Sequence, residues 1–474
     1  MIKSLPLFLM AGALVAAQSS TISEKYKDPA EKLIAAALAD HEGMDRLQYL
    51  CDRIGNRVGG SASLEKAIQW AAAEMKKAGL ENVKTVPVKV PHWVRGKESV
   101  TMVGPVDRPL TMLGLGGSVG TPKQGTTGEV IVASTFDELA SMGKEKVAGK
   151  IVLFNPVWNG YGGTVMYRGS GASRAAAMGA TAMLVRSMTG TSMQSPHTGA
   201  LVYTDGVAKI PAAAITVEDA GYIQRTIQSG TPVKVRLMME AHQLPDADSH
   251  NVIGEIRGIE KPEEVVVLGG HIDSWDVGQG ANDDGSGIMA TFQAVALIKK
   301  LGLKPRRTIR VVFWTDEENG GGGGRGYRTY IGDNVKNHVA AIEMDGGAEK
   351  PVGFGFGSSG EGRRRAGAAA PATPANPTTK ASFDRAVEIG KLLESIEGGK
   401  MTPGGGGADI SPLIADGVPG FGVRTVGTHY FDWHHTAADT FDKIVPREFQ
   451  QNVASLAVLA YVLADMPERI GDLK

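Results

Sequence analysis

The chain has 474 residues, long enough for two packed units at the usual size of roughly 100 to 200 residues per domain. Its 50 basic and 51 acidic residues leave a formal charge of −1 without a long single-sign run, which argues against nucleic acid or an anionic membrane as the principal partner. Cys51 is the one cysteine, so an intrachain disulfide is excluded, and a lone thiol of this kind is read as neither nucleophile nor metal ligand.

Lys3 precedes an apolar run at 5–15 that ends in the small residues Ala16 and Ala17. That pattern reads as an export signal over residues 1–17, because the run is shorter than the roughly 20 residues a membrane-spanning helix needs. A helix is expected at 64–78, capped by Ser63, stopped by Gly79 and apolar along Leu64, Ile68, Ala71 and Met75. From about 100 to 240 the chain reads as short β-runs, at 129–133, 150–155, 181–185, 211–216 and 233–239, with helices near 172–178 and 217–227. The pattern changes near Asn251. A continuous apolar run at 265–268 suits a strand covered on both faces, 309–315 and 339–344 repeat the strand signal, and a helix at 286–301 separates the first two, which is the signature of an α/β sheet. An Ala/Pro/Gly-rich stretch at 363–379 reads as a surface loop, and helices are expected at 382–397 and 447–464.

Polar residues in this second half fall where the strands end, the place ligands occupy in open α/β sheets. His271 and Asp273 follow the first run two residues apart, so extended backbone points them to one side. A loop with the paired carboxylates Asp283 and Asp284 opens the next helix, and such a pair repels unless a cation sits between its members. Glu317 and Glu318 end the second run, Asp345 ends the third, and His434 and His435 lie further on. Alone, each of these residues reads as structural or solvated; together they offer nitrogen and oxygen ligands without a thiolate, a donor set that favours zinc. His41, His92, His242, His250, His338 and His429 carry no such context, and Asp276 and Asp284 read as supports of loop geometry.

The segments His271-Ile-Asp-Ser-Trp-Asp-Val-Gly-Gln-Gly280, Asp-Asp-Gly from Asp283, Trp314-Thr-Asp-Glu-Glu318, Met344-Asp-Gly-Gly347 and His434-His-Thr resemble, in this order, the co-catalytic dizinc aminopeptidases and glutamate carboxypeptidases. The resemblance spans nearly the whole chain after residue 17. It implies an α/β fold in which a mixed, largely parallel sheet is flanked by helices. The peptidase domain would cover 18–99 and 241–474, with a β-rich protease-associated unit inserted at 100–240. It further implies two zinc ions per chain, with Asp283 bridging them, His271 and Asp345 completing one site, and Glu318 and His435 completing the other. Glu317 becomes the general base acting on a water shared by the metals, and a cis peptide is expected between Asp283 and Asp284. Two dications against three carboxylates and a hydroxide leave such a cluster neutral.

Asp273 is expected to orient His271 and is counted with the catalytic residues, and Asp439 to do similar work beside His435. His434 is a neighbour of the site. Asp409 and Tyr430 are candidate substrate contacts. The implied substrates are dipeptides or short peptides with free ends, broad aminopeptidase action being the alternative, and the resemblance implies a homodimer. Receptor-like relatives that have lost their ligands, and one-zinc glutaminyl cyclases, are rival readings; here no ligand is missing. Two departures stand out: the five glycines at 320–324 and the Ala/Pro-rich stretch.

Overall fold

The computed structural model describes residues 21–360 and 379–471, with the side chains of 358–360 left aside. The apolar N-terminal run and residues 363–378 of the Ala/Pro-rich stretch therefore lie outside the described residues.

Two eight-stranded sheets organise the chain. The strands of the first are β1 (Glu81–Val94), β2 (His242–Ile256), β3 (Lys261–His271), β4 (Arg307–Trp314), β5 (His338–Glu343), β6 (Pro351–Gly360), β7 (Lys400–Gly405) and β8 (Gly420–Thr425). Their spatial order is β1-β2-β4-β3-β5-β8-β6-β7. The central strands β4, β3, β5 and β8 run parallel, while β1 and β2 pair antiparallel with their neighbours and β6 is antiparallel to β8 but parallel to the edge strand β7. The sheet is thus mixed with a parallel centre, as expected, and the strands read from apolar runs, β3 to β5, are the central ones. Valines 265–267 and Leu268 are buried because helices cover both faces of the sheet. Ser286–Lys300 and Pro446–Asp465 pack on one face in a core that includes Phe292, Phe313, Phe449 and Leu456. On the other face Tyr327, Ile331 and Leu413 meet Val267, Val312 and Trp314.

The helix expected at 64–78 is Ala62–Lys77, and its apolar face is buried as read. Its cap is Ser61, not Ser63: Ser61 Oγ accepts from the Leu64 amide, while Ser63 Oγ donates to the Asn56 carbonyl. Gly79 follows at φ +77°, a conformation that suits glycine at a helix end.

The second sheet lies between Glu98 and Met239, with spatial order Asp107–Leu110, Glu98–Gly104, Lys234–Met239, Thr126–Ala133, Ile151–Phe154, Ala182–Arg186, Ala212–Ile215 and Met112–Gly114. The five β-runs expected here are all strands. The helix read at 172–178 is much longer, Gly160–Ala177; Gly160, Gly162 and Gly163 hide its first turn from propensity. Near the C-terminus, 382–397 resolves into Lys380–Lys391 and a short turn at Glu394–Ile396. Among the described residues no helix is long and apolar enough to cross a membrane.

Candidate metal centre

The ends of β3, β4 and β5 and two loops bring the expected site residues together. His271 is the last residue of β3, and its ring is fully buried. The Asp273 carbonyl lies 3.1 Å from His271 Nδ1, so Nδ1–H donates there and Nε2 faces the cluster. His271 Nε2 lies 3.2 Å from Asp283 Oδ1 and 3.6 Å from Asp345 Oδ1. His435 Nε2 lies 3.1 Å from Asp283 Oδ2 and 3.0 Å from Glu318 Oε2. The two oxygens of one carboxylate thus face two separate sets of donors.

Asp283 owes this position to a loop fixed from several sides. A cis peptide joins it to Asp284, as the resemblance implies. Asp284 accepts from the amides of His271 and Gly287, which ties the loop to the end of β3 and the start of the following helix. Asp439 accepts from the amides of Asn282 and Asp283 at 2.7 and 3.1 Å. It therefore shapes the Asp283 loop, where the sequence had placed it beside His435. Buried Arg57 donates four hydrogen bonds to the carbonyls of Gly55, Ile272, Gln279 and Gly280, closing the loop from behind.

Asp273 has a second task. Its carboxylate accepts from the amides of Glu317 and Glu318 at 3.1 and 3.2 Å, so one residue orients His271 through its carbonyl and the two glutamates through its side chain. Glu318 is pinned further by Trp275, whose Nε1 donates to Oε2 at 2.7 Å. Glu317 is only half-buried. The glycines at 320–324 let the next helix, Gly322–Ile331, start against this turn. A Cβ on Gly323 would lie 2.2 Å from the Thr315 carbonyl, and one on Gly324 would lie 2.4 Å from that of Asp409. The run is a close-packing device.

The electrostatics match a cation site. Burial disfavours a charged His435 ring, yet Glu318 and Asp283 carry its pKa up to about 10. Burial raises Asp283, but His434, His271 and His435 hold its carboxyl well below the usual range. A field that draws a proton onto His435 would equally hold a dication. Asp283 Oδ2, Glu318 Oε1 and His435 Nε2 are buried without a hydrogen-bond partner, a cost that a shared metal ion removes. Two groups, His271 with Asp283 and Asp345 and Asp283 with His434 and His435, each offer ligand atoms within 4.8 Å of one another. The donor set therefore fits zinc.

His434 comes closer than a mere neighbour: its Nε2 lies 3.2 Å from Asp283 Oδ2, and its ring stacks on His435 at 3.6 Å. Asp409 and Tyr430 are buried. Burial, then Glu343 and Glu317, raise the Asp409 carboxyl well above its usual range, and burial with Asp345 pushes Glu343 up to about 8. A cavity of about 260 Å³ opens beside Asp345 and Glu343, walled by glycines 404–407 and Arg424.

Sequence reasoning missed Arg57 and Trp275, and it read Thr198 only as part of Ser195-Pro-His-Thr-Gly199, a segment expected at the edge of the inserted unit over the site. A buried arginine is indistinguishable from a solvated one in sequence, and Trp275 and Thr198 act on partners 43 and 237 positions away.

Residues 251–460 match the model of peptidase family M28. Carboxypeptidase Q of Bos taurus is 41% identical over 448 residues, 94% of this chain and 90% of the relative. The crystal structure of a peptidase M28 precursor from Shewanella amazonensis SB2B superposes with a TM-score of 0.87 at 32% identity, covering 95% of this chain and 99% of that one. A zinc aminopeptidase from Bacillus subtilis shares the fold, with a TM-score of 0.65 at 19% identity over 91% of this chain and 96% of its own. The chain belongs to peptidase family M28 and is a metallopeptidase of that family.

Proposed function

We propose that this protein is a two-zinc exopeptidase that hydrolyses dipeptides or short peptides with free ends. The observation that carries the reading is the Asp283 carboxylate, one oxygen 3.2 Å from His271 and the other 3.1 Å from His435, where the first ring also meets Asp345 at 3.6 Å and the second meets Glu318 at 3.0 Å. In this reading His271 and Asp345 would hold one ion, Glu318 and His435 would hold the other, and Asp283 would serve both. His435 is preferred to His434 because its Nε2 meets both Asp283 and Glu318 within 3.1 Å. Zinc pairs of this kind, when bound, polarise the scissile carbonyl and lower the pKa of a shared water.

Glu317 is left out of the ligand set. Its half-buried carboxylate takes the proton of the attacking water and passes it to the leaving amine. Asp273 keeps base and ligand in register, since neighbouring amides of both glutamates end on its two oxygens. The cavity beside Asp345 receives a substrate side chain, and its glycine wall leaves room for one. Action at chain ends is supported by the carboxypeptidase Q and aminopeptidase relatives. The same reading takes 1–17 as an export signal and 100–240 as an inserted protease-associated unit, supported by the second sheet between Glu98 and Met239.

The test is a library of free dipeptides alongside their N-acetylated and C-amidated forms, scored on zinc-loaded protein. Hydrolysis of free dipeptides that is lost on blocking one end is expected, and the end that matters separates aminopeptidase from carboxypeptidase action. No hydrolysis of any member would end the reading. Glu317→Gln should keep both metals and lose roughly 10²- to 10⁴-fold in turnover; near-wild-type turnover in a metal-replete sample would refute the base assignment.

A further inference from the structure

The donors around Asp283 are supported from different places. His271 is oriented from within the first sheet, its Nδ1 against the Asp273 carbonyl and its backbone N–H donating to the Asp284 carboxylate. The support of His435 comes from the second sheet's side. The Thr198 carbonyl lies 3.2 Å from His435 Nδ1, and the Thr198 amide donates to the His435 carbonyl at 2.9 Å. A carbonyl only accepts, so the first contact favours a proton on Nδ1, with Nε2 left for a metal, over the competing approach of Arg168 Nη1 at 3.3 Å to the same nitrogen. The second holds backbone that is otherwise unfavourable, for His435 sits at φ +63°. Arg168, also from the second unit, donates to the same Thr198 carbonyl at 3.4 Å.

Thr198 is itself tied across the boundary. Its hydroxyl donates to the Gly114 carbonyl and accepts from Arg95 Nη2. Arg95 makes a two-pronged pair with Asp276, three residues beyond Asp273, at 2.6 and 2.8 Å. Glu318 depends on the same unit by another route. Trp275, its hydrogen-bond donor, is buried among second-sheet residues such as Val100, Leu237 and Met239, and a Cβ on Gly116 would lie 1.9 Å from its ring.

We infer that the second unit is a positioning shell for one metal position only, so that occupancy of the His435–Glu318 position and seating of the second unit on the first are a single coupled equilibrium. Thr198, Arg95 and Gly116 are the positioning residues. Linkage makes the effect reciprocal: whatever loosens the second unit weakens that metal, and removing that metal loosens the Thr198 contact. The inference rests on the ligand assignment proposed above.

The test is stepwise zinc binding by chelator competition on the full-length protein, with amide hydrogen exchange at Thr198. Wild type should show two binding events. Thr198→Val, which keeps shape and loses the hydroxyl bridge, and Gly116→Ala, which displaces Trp275, should each weaken one event roughly 10- to 100-fold and leave the other within about 3-fold. The event they weaken should be the one His435→Ala abolishes, and the Thr198 amide should gain protection as it saturates. If His435→Ala abolishes one event while Thr198→Val, folded as judged by its circular dichroism, binds both ions as wild type does, the inference is overturned. Equal weakening of both events overturns it too. If His435→Ala leaves both events intact, the ligand assignment itself fails.

Discussion

Replacing Arg57 by methionine removes a charged fork that is wholly buried and ends on backbone carbonyls at 2.7 Å (Ile272), 2.8 Å (Gly55 and Gln279) and 3.0 Å (Gly280). Hydrogen bonds from charged donors contribute about 1.5 to 3 kcal/mol each, so four give a gross loss of roughly 6 to 12 kcal/mol. Two effects reduce this figure. Methionine keeps much of the stem packing, and the guanidinium no longer has to be desolvated, so a net loss of about 3 to 5 kcal/mol is expected. At about 2 to 4 °C per kcal/mol for units of 150 to 250 residues, the transition of the first unit should fall by about 10 °C. Scanning calorimetry of the zinc-free protein reads this without interference from the metal. Arg57→Lys keeps the charge near Asp273, Asp284 and Asp439 but has one nitrogen to reach four carbonyls, so it should resemble methionine. A shift below about 2 °C for methionine, or full rescue by lysine, would refute the idea that the fork holds the loop.

Burial, reinforced by the Arg310 charge, holds the His338 pKa at about 4, against about 6.5 unfolded. The folded state then binds fewer protons than the unfolded one between these values, so stability is complete above about pH 6.5 and is lost as pH falls toward 4. Denaturant unfolding should cost wild type about 2 kcal/mol more than His338→Gln between pH 7 and pH 5; equal losses would show that His338 is not the titrating group. Gly324→Ala should destabilise by about 1 to 3 kcal/mol, because its Cβ meets the Asp409 backbone, whereas Gly346→Ala, with no atom within 4 Å, should be close to neutral in the same thermal scan.

The residues proposed as metal ligands could be singled out because His271, Glu318 and Asp345 fall at or just after strand ends and because the ordered motifs, Asp283 and His435 among them, resemble one family. The parallel centre of the first sheet was legible for a related reason, since valines 265–267 have no polar alternation to suggest an exposed face. What was hidden is mostly long-range. Ser61 and Ser63 are equally good caps by propensity, and only the Asn56 carbonyl, a tertiary partner, decides between them. The first turn of Gly160–Ala177 is masked by glycines, yet it places Tyr161 4.9 Å from Phe431 and 5.1 Å from His434, beside the site. Strands β1 and β2 escaped notice because their outer halves are largely exposed and carry charged residues. Asp439 was found as a polar residue near the site, but its partner is a backbone turn more than 150 positions away, which spacing does not reveal.

Diffraction from zinc-soaked crystals, collected on both sides of the zinc absorption edge, tests the centre most directly. Two anomalous peaks roughly 3.5 to 4 Å apart should flank the Asp283 carboxylate, one against His271 and Asp345 and the other against Glu318 and His435. A single peak, or peaks remote from Asp283, would contradict the two-metal centre.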